Sequence, residues 1–251
     1  MTDKRQLKIV KRIETWGFAT IDVLAREFNV SAQTIRRDII HLDKCKLLHR
    51  FHGGAGVRRK TSRLGYSQKK IAQVEGKQRI GEAVAALIPD GASIFLDVGT
   101  TVEAVAQALA KRTNLQVVTN SLFAAGALAI SDSIKVVVTG GLLHGADGSL
   151  VGGDVKSVLE TFKFDFAVIA CSGFDDDGTV MDFDIQKVDL KKVAMGNARG
   201  AILVADSTKF NRTAFVRAFA LEDFSCCITD AKPPMMLETA MQKADTEVIV
   251  A

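Results

Sequence analysis

Residues 20–42 read TIDVLAREFNVSAQTIRRDIIHL, a stretch that predicts two short amphipathic helices around a tight turn. The second helix begins after Ser31, whose side chain suits an N-cap. Its apolar residues Ile35, Ile39 and Leu42 recur at i, i+4 and i+7, which leaves a polar, doubly basic face pointing outward. Such a helix, braced by a partner helix, is typical of helix-turn-helix proteins that read the DNA major groove.

The charge distribution favours the same interpretation. Residues 1–70 contain 17 Lys and Arg against 6 Asp and Glu, a net charge of +11, whereas residues 71–251 contain 16 against 23, a net charge of −7. A solvated basic surface is the alternative for the first segment. Because its basic residues coincide with the predicted helix pair, a polyanionic partner such as duplex DNA is favoured.

Further elements are predicted around the helix pair. An amphipathic helix over 4–16 precedes it, with Leu7, Val10 and Ile13 facing inward. Residues 47–51 alternate loosely like a strand before a glycine pair, which indicates a β wing beside the duplex. Gln33, Thr34 and Arg36 are expected at base edges, and Arg37, Arg50 and Arg58 at phosphates. The predicted DNA-binding residues are Ser31, Gln33, Thr34, Arg36, Arg37, Arg50 and His52, with Arg58 as a further phosphate contact.

From residue 77 onward, helical patterns alternate with short and nearly continuous apolar runs, such as 93–96 and 201–204. This alternation predicts a mostly parallel α/β sheet. The preceding stretch is polar, basic and weakly periodic. We therefore predict three regions: a smaller winged helix-turn-helix domain at 1–57, a linker at 58–76 and an α/β sensor domain at 77–251.

Several predicted strands end in small or polar residues, at the edge where open α/β sheets bind ligands. The sequence DVGTT at 97–101 joins one such strand to the next helix. Gly99 allows a close backbone approach, and Thr100 and Thr101 add hydroxyl groups to the N–H groups of the helix start, which suits phosphate. An ordinary Gly-Thr turn is the alternative. The motif is not GxGxxG, so a dinucleotide site is disfavoured.

The string VSAQTIRRDIIHLDKCKLLHRFHGGA at 30–55 closely resembles the DNA-binding motif of the DeoR family of bacterial transcriptional regulators. The strings IFLDVGTT, VVTNS, DFAVI, SGFDDDGT and ADSTKF, spread over 94–210, resemble the sensor domain of that family. The resemblance implies a sensor similar in fold to ribose-5-phosphate isomerase, with a phosphorylated sugar or polyol as effector. The body most resembles regulators of glycerol 3-phosphate genes, which makes glycerol 3-phosphate the leading effector.

The resemblance also implies, position by position, which residues contact the effector. They are Asp97, Gly99, Thr100, Thr101, Asn120, Gly141, Asp184, Lys191 and Lys209. The two lysines would supply countercharge to a phosphate, although Lys191 could equally lie on a solvated helix face. One departure concerns the sugar end, because Lys187 stands where the family often has Glu. A lysine cannot accept a hydrogen bond from a sugar hydroxyl group.

The leading hypothesis is a repressor of a carbohydrate or polyol catabolic operon. Its expected partners are double-stranded operator DNA, a phosphorylated effector and further copies of itself, with no cofactor. An activator is an alternative, because operator position sets the sign of regulation. A sugar-phosphate isomerase with a DNA-binding head is another, with Asp97, Asp184 and Lys191 as its acid–base set. The sequence shows no tight acid–base pairing, so we predict no enzyme and no catalytic residue.

The cysteines and the apolar runs bound the remaining possibilities. Cysteines at 45, 171, 226 and 227 form no CxxC pair and have no histidine at metal-ligand spacing, so no metal site is predicted. Thiols of this kind suit a reducing compartment. The polar start MTDKRQLK predicts no signal peptide, and no apolar run approaches the ~20 residues of a membrane span. We therefore expect a cytoplasmic protein without membrane contact.

Overall fold

A computed structural model of the protein describes residues 3–57, here called the head, and residues 64–251, here called the body. In the head, β3 lies between β1 and β2 in an antiparallel sheet. The predicted helix pair and wing are confirmed, and the lead-in to the second helix adds a third strand. The head consists of α1 (Lys4–Trp16), β1 (Phe18–Thr20), α2 (Ile21–Glu27), α3 (Ala32–Lys44), β2 (Leu48–Phe51) and β3 (Gly54–Val57).

The buried face of α1 differs from the predicted one at Leu7, whereas Val10 and Ile13 pack in the head core as predicted. Ile9 and Ile13 are fully buried, whereas Leu7 is 56% exposed. Residues 7 and 9 lie about 200° apart around a helix, so they cannot share a face. The stripe that faces α3 runs through Arg5, Ile9 and Ile13, and Arg5 Nε donates to Asp38 Oδ2 at 2.8 Å. The ion pair with Asp38 therefore fixes the rotation of α1.

The body contains a seven-stranded parallel sheet in the order β15-β14-β12-β9-β4-β5-β6. Two shorter antiparallel sheets, β7-β8 and β10-β11-β13, are added to it. The elements of the body are α4 (Tyr66–Ile71), α5 (Val74–Leu87), β4 (Ser93–Leu96), α6 (Thr100–Leu109), β5 (Gln116–Thr119), α7 (Leu122–Leu128), β6 (Lys135–Val138), β7 (Leu142–His144), β8 (Ser149–Val151), α8 (Gly153–Glu160), β9 (Phe164–Ala170), β10 (Gly173–Phe174), β11 (Val180–Asp182), α9 (Ile185–Gly196), β12 (Ala198–Val204), β13 (Val216–Phe219), β14 (Cys226–Thr229), α10 (Met235–Lys243) and β15 (Glu247–Val250).

Helices cover both faces of the large sheet. Ile94 and Leu96 of β4 pack into a cluster with α5, α6 and α7, whereas Phe95 packs on the other face with α8, α9 and α10. A strand buried on both faces needs apolar residues at every position, which explains the continuous apolar runs in the sequence. The predicted fold class, a mostly parallel α/β domain with a smaller N-terminal winged helix-turn-helix, is confirmed.

The junction between head and body contains more structure than the predicted linker at 58–76 suggests. Helix α4 and the start of α5 lie within this stretch. Residues 58–63 lie outside the described residues, and the predicted phosphate contact Arg58 is among them. The head also contacts the body directly. Gly17 packs against Met236 of α10 so closely that a Cβ at position 17 would lie 2.9 Å from the Met236 sulfur. Over the described ranges 3–57 and 64–251, no helix combines the length and apolar character needed to cross a bilayer.

Candidate functional site

The outer face of α3 is the first candidate site. Gln33, Arg36 and Arg37 are exposed, while the apolar stripe Ile35, Ile39 and Leu42 is buried in the head core. Within the described residues, neither arginine takes part in an ion pair. Two uncompensated guanidinium groups on one exposed helix face form a surface suited to phosphate oxygens and base edges.

The start of α3 is fixed by hydrogen bonds between two predicted DNA contacts. Ser31 Oγ accepts from the Thr34 backbone N–H at 3.1 Å, and the two hydroxyl groups lie 2.9 Å apart. Both side chains therefore help to cap the helix. On the wing, Arg50 of β2 and His52 in the β2–β3 turn are exposed. The structure thus leaves the predicted DNA-binding side chains exposed or half-exposed, and their contacts with DNA stay a prediction.

The second candidate site is a cleft of about 300 Å³ at the carboxyl ends of β4, β9 and β11. Its lining contains four lysines and two aspartates, so its charged side chains carry a net positive charge. The lining residues are Leu64, Gly65, Tyr66, Lys69, Val98, Gly99, Thr100, Thr101, Gly145, Ala146, Asp147, Ala170, Cys171, Ser172, Asp182, Lys187, Lys191 and Lys209.

One wall of the cleft is the N-terminus of α6. Gly99 is the N-cap at φ 141°, a backbone conformation that favours glycine, and no side chain caps this helix. The N–H groups of a first helical turn have no partner within the helix. Thr100 is half-buried and Thr101 is buried, and both line the cleft. The predicted strand-to-helix connection at 99–101 is therefore present and lines the cleft, and anion binding at it stays a prediction.

A buried ion triad lies beneath this wall. Lys191 Nζ lies 2.9 Å from Asp97 Oδ2 and 2.7 Å from Asp182 Oδ2, and it donates to the Ala170 carbonyl at 2.7 Å. Burial raises the pKa of Asp97, the deepest of the three side chains. Burial alone would also raise the pKa of Asp182, but the charge and hydrogen bond of Lys191 bring that pKa below its ordinary value. Lys191 is thus charged, and two carboxyl groups already compensate it.

The two other buried lysines of the cleft also have acidic neighbours. Lys187 Nζ lies 2.6 Å from Asp147 Oδ2, which reaches the cleft from the β7–β8 hairpin. Lys209 Nζ lies 4.0 Å from Asp206 Oδ2, a longer separation that leaves its ammonium less tightly held. All three lysines are at most 8% exposed. Among the buried lysines, Lys209 therefore has the ammonium best placed to compensate an incoming anion.

Five of the nine predicted effector contacts line the cleft and four do not. The five are Gly99, Thr100, Thr101, Lys191 and Lys209. Asp97 lies behind Lys191, and Asn120 is buried, with its Nδ2 donating to the Leu150 carbonyl at 3.1 Å. Asp184 caps α9 and contacts His144 Nε2 at 2.8 Å. These three side chains hold the surrounding loops in place.

The fourth residue outside the lining is Gly141. Its φ is 102°, and a Cβ at this position would lie 2.4 Å from Val155 Cγ2 and 2.8 Å from the Val151 carbonyl oxygen. The glycine is required because β7 packs closely against β8 and α8. The glycine that the family resemblance implied as a ligand contact therefore has a packing cause here.

Other lining residues were absent from the predicted set. Asp182 stands two positions before the predicted Asp184, in the same acidic segment. Lys187 departs from the family pattern, and its partner Asp147 is 40 positions away in the sequence. Tyr66 and Lys69 come from the stretch that was predicted to be a linker. No local pattern in the sequence connects these residues with the cleft.

Comparison with known proteins identifies the family of both parts of the chain. The DeoR-like helix-turn-helix domain model matches residues 5–61, and the DeoR C terminal sensor domain model matches residues 72–231. The chain is 36% identical over 232 residues to the glycerol-3-phosphate regulon repressor of Escherichia coli K12, which covers 92% of each chain.

Two further similarities concern a second repressor and a solved structure. The HTH-type transcriptional repressor CsqR of Escherichia coli K12 is 36% identical over 246 residues, which covers 98% of this chain and 94% of that one. Among solved structures, ribose 5-phosphate isomerase A from Neisseria gonorrhoeae aligns with 56% of this chain and 54% of that chain, at a TM-score of 0.40 and 15% identity.

Proposed function

The chain belongs to the DeoR family of transcriptional regulators, and from this premise we propose that it is a repressor released from operator DNA by a small phosphorylated metabolite. The operon it controls serves carbohydrate or polyol catabolism, and glycerol 3-phosphate is the leading effector. In this proposal residues 1–57 bind DNA and residues 77–251 sense the effector. Residues 58–76 link the two domains. The protein acts in the cytoplasm, where its operator DNA and a phosphorylated metabolite meet.

The DNA-binding half of the proposal depends on α3 and the wing. Gln33, Thr34 and Arg36 read base edges, and Arg37 and Arg50 contact phosphates, with Ser31 and His52 at the margins. The guanidinium groups of α3 are exposed and make no ion pair within the described residues, which supports these roles. Phosphate contacts of this kind release counterions, so the affinity for duplex DNA falls as salt rises.

The effector half depends on one observation, the cationic lining of the cleft at an uncapped helix start. Lys187 and Lys191 are closely paired with carboxylates, whereas the longer separation of Lys209 from Asp206 leaves its ammonium available to an anion. The N–H groups of α6 suit the oxygens of a phosphate group. A cleft of about 300 Å³ fits a small metabolite. In this pose Lys209 compensates the phosphate, while Lys187 and Asp147 face the remainder of the molecule and donate or accept hydrogen bonds with its hydroxyl groups.

The same geometry supports a regulator over an isomerase. The proposed acid–base set was Asp97, Asp184 and Lys191. Asp97 and Lys191 are committed to the buried triad, and Asp184 does not line the cleft. A general base must reach the proton that it abstracts. Regulation without chemistry is therefore the function that this cleft supports best.

The active form is proposed to be a homo-oligomer, because helix-turn-helix proteins bind symmetric half-sites with paired heads. A candidate contact surface lies on the edge strand β6 and the neighbouring hairpin. Val137, Val138, Leu142 and Leu143 are 39%, 41%, 70% and 56% exposed. An uncovered edge strand with this composition is prone to pair with another chain. Sedimentation of the parent protein and of Leu142→Lys would test this surface.

The effector half is tested by thermal shift with a panel of phosphorylated sugars and polyols that includes glycerol 3-phosphate. A bound effector should raise the melting temperature of the parent protein by mass action. Thr100→Val and Lys209→Ala should abolish the shift and retain affinity for DNA. Lys192→Ala, an exposed neighbour of the cleft lysines in sequence, is the control and should respond like the parent. Equal shifts in all four proteins would place the effector elsewhere.

A further inference from the structure

Helix α4, Tyr66–Ile71, belongs both to the head–body junction and to the effector cleft. It follows the stretch that joins the head to the body. Four residues at its start and on its inner side line the cleft: Leu64, Gly65, Tyr66 and Lys69. A molecule in the cleft would therefore contact the segment of chain that leads directly to the DNA-binding head.

Helix α4 is held on the body by a few side-chain contacts and not by buried apolar residues. The helix has only six residues and none of its side chains is buried. Isolated helices of this length are unstable in water, so contacts with the body must hold it. The Tyr66 ring stacks on Phe123 with centroids 5.0 Å apart, and the Tyr66 hydroxyl donates to Glu103 Oε2 at 3.0 Å.

The buried polar groups next to α4 have only part of their hydrogen bonds. Lys77 Nζ, which is buried, donates to the carbonyl groups of Lys69 and Ala72 at the end of the helix. Glu103 is 8% exposed, and its Oε1 has no hydrogen-bond partner among the described residues. An unsatisfied buried oxygen carries a desolvation cost. The docked position of α4 is thus held by a few contacts and opposed by one, which makes it sensitive to an additional ligand.

Charge gives that additional ligand a definite chemistry. Lys69 lines the cleft on the side of α4, and the uncapped start of α6 lines it at Thr100 and Thr101. A phosphate group placed at the helix start can accept hydrogen bonds from both sides at once, because it has several acceptor oxygens. Such a bridge would join a marginally docked helix to the rigid sheet domain.

We propose that the phosphorylated effector bridges the start of α6 and Lys69, so that α4 docks firmly only when the cleft is occupied and thereby shifts the attached head. This inference deepens the proposed function and rests on it. It assigns Lys69 and Tyr66 to effector binding and to coupling, and it makes α4 the element that passes occupancy to the head. Binding energy is spent on ordering α4, so apparent affinity depends on how well α4 docks.

Hydrogen–deuterium exchange of the full chain, with and without glycerol 3-phosphate, tests the ordering of α4. Backbone amides at 66–72 should exchange at least about tenfold more slowly with the ligand, because a docked helix opens less often. Inorganic phosphate, which lacks the polyol, should give part of this protection. Tyr66→Phe keeps the ring stack but loses the bond to Glu103, so its α4 should exchange faster than the parent without ligand.

Binding of glycerol 3-phosphate to variants tests the bridge. Lys69→Gln should weaken binding about tenfold or more, the usual consequence of losing a hydrogen bond to a charged group. Lys192→Gln removes the same charge from an exposed side chain that is next to a cleft lysine in sequence and outside the cleft lining, and it should change affinity less than about threefold. If both variants lose affinity equally, a general electrostatic effect explains the loss, and the proposed bridge through Lys69 is overturned.

The inference and the proposed function fail in distinguishable ways. If the parent binds glycerol 3-phosphate and leaves exchange at 66–72 unchanged, α4 is not the coupling element, although the effector site stands. If no phosphorylated metabolite binds the parent, the proposed function fails and the inference fails with it. Protection at 66–72 together with selective loss of affinity in Lys69→Gln is the result that we expect.

Discussion

The head and the body use basic side chains in opposite ways. On α3 of the head, Arg36 and Arg37 are exposed and make no ion pair within the described residues. In the cleft of the body, Lys187 and Lys191 are buried and lie within 3 Å of carboxylate oxygens. An exposed, uncompensated cation can exchange its counterions for a polyanion, whereas a buried and compensated one mainly organises the residues around it. The same chemical group thus serves recognition in one region and architecture in the other.

The largest expected effect breaks the architecture of the body. Lys191→Ala leaves Asp97 and Asp182 buried without their cation, so we expect a loss of about 3–5 kcal/mol in the free energy of unfolding. Urea unfolding followed by circular dichroism measures it. Lys192→Ala, the exposed neighbour, should cost less than about 0.5 kcal/mol. Similar losses in both variants would mean that the triad does not stabilise the sheet domain.

The second effect concerns the head and should leave stability almost unchanged. Arg36→Gln removes a proposed base contact, so affinity for a duplex selected by the protein from a random library should fall by about 1–3 kcal/mol. Fluorescence anisotropy with the labelled duplex measures the change. Arg199→Gln removes an equally charged side chain of the body that is 86% exposed, and it serves as control. Equal losses would indicate that overall charge, and not α3, determines binding.

The third effect contrasts the salt dependence of the two sites. Affinity of the head for duplex DNA should fall linearly on logarithmic axes, with a slope of about −0.9 for each phosphate neutralised. Affinity of the cleft for glycerol 3-phosphate should fall much less, since its lysines are buried and weakly screened. Anisotropy and calorimetry over the same range of ionic strength compare them. A flat DNA response would contradict the assignment of exposed arginines to phosphate contacts.

The smallest effect is a dependence of head stability on pH. Burial opposes ionisation of Asp38, but hydrogen bonds from Arg5 and Gln6 bring the pKa of Asp38 below its ordinary value. Ionised Asp38 therefore stabilises the folded head above the unfolded pKa of about 3.9. This stabilisation is lost as the pH falls through the lower pKa of Asp38 in the folded state. Fluorescence of Trp16, the chain's only tryptophan, reports on α1.

The matched variant for this pH effect is Asp38→Asn, which keeps the shape of the side chain and cannot titrate. Each protein's stability is expressed relative to its own value at neutral pH. On this scale the parent should lose more stability than Asp38→Asn as the pH falls, because only the parent has a carboxylate at position 38 to protonate. Identical acid profiles after this normalisation would show that Asp38 contributes nothing to the pH dependence.

The sequence was most informative where local patterns determine structure. The strand at 93–96 was predicted correctly because both faces of the sheet are buried, which makes the run continuously apolar. The β7–β8 hairpin and β10, β11 and β13 were not predicted. Strands of two to four residues carry too few alternating positions to be distinguished from loops.

The cleft was predicted in part for a similar reason. Gly99 and Thr100 lie at the join of a strand and a helix, and this join fixes their place at the sheet edge. The ends of other strands lie at the same edge of the sheet but at different depths. Asn120, after β5, is therefore buried and donates a hydrogen bond to the Leu150 carbonyl instead of lining the cleft. Lys69 and Asp147 reach the cleft from a short helix and a hairpin whose positions depend on tertiary packing. Their contribution could be found only in three dimensions.

A phosphorylated metabolite in the lysine-lined cleft is proposed to control the arginine-bearing head that binds DNA. The most direct test is anisotropy of the selected duplex bound to full-length protein during titration with glycerol 3-phosphate. We predict that the parent releases the duplex and that Lys209→Ala retains it over the same range of metabolite concentrations. Release from both proteins at equal concentrations, or retention by the parent throughout a panel of phosphorylated sugars and polyols, would contradict the account.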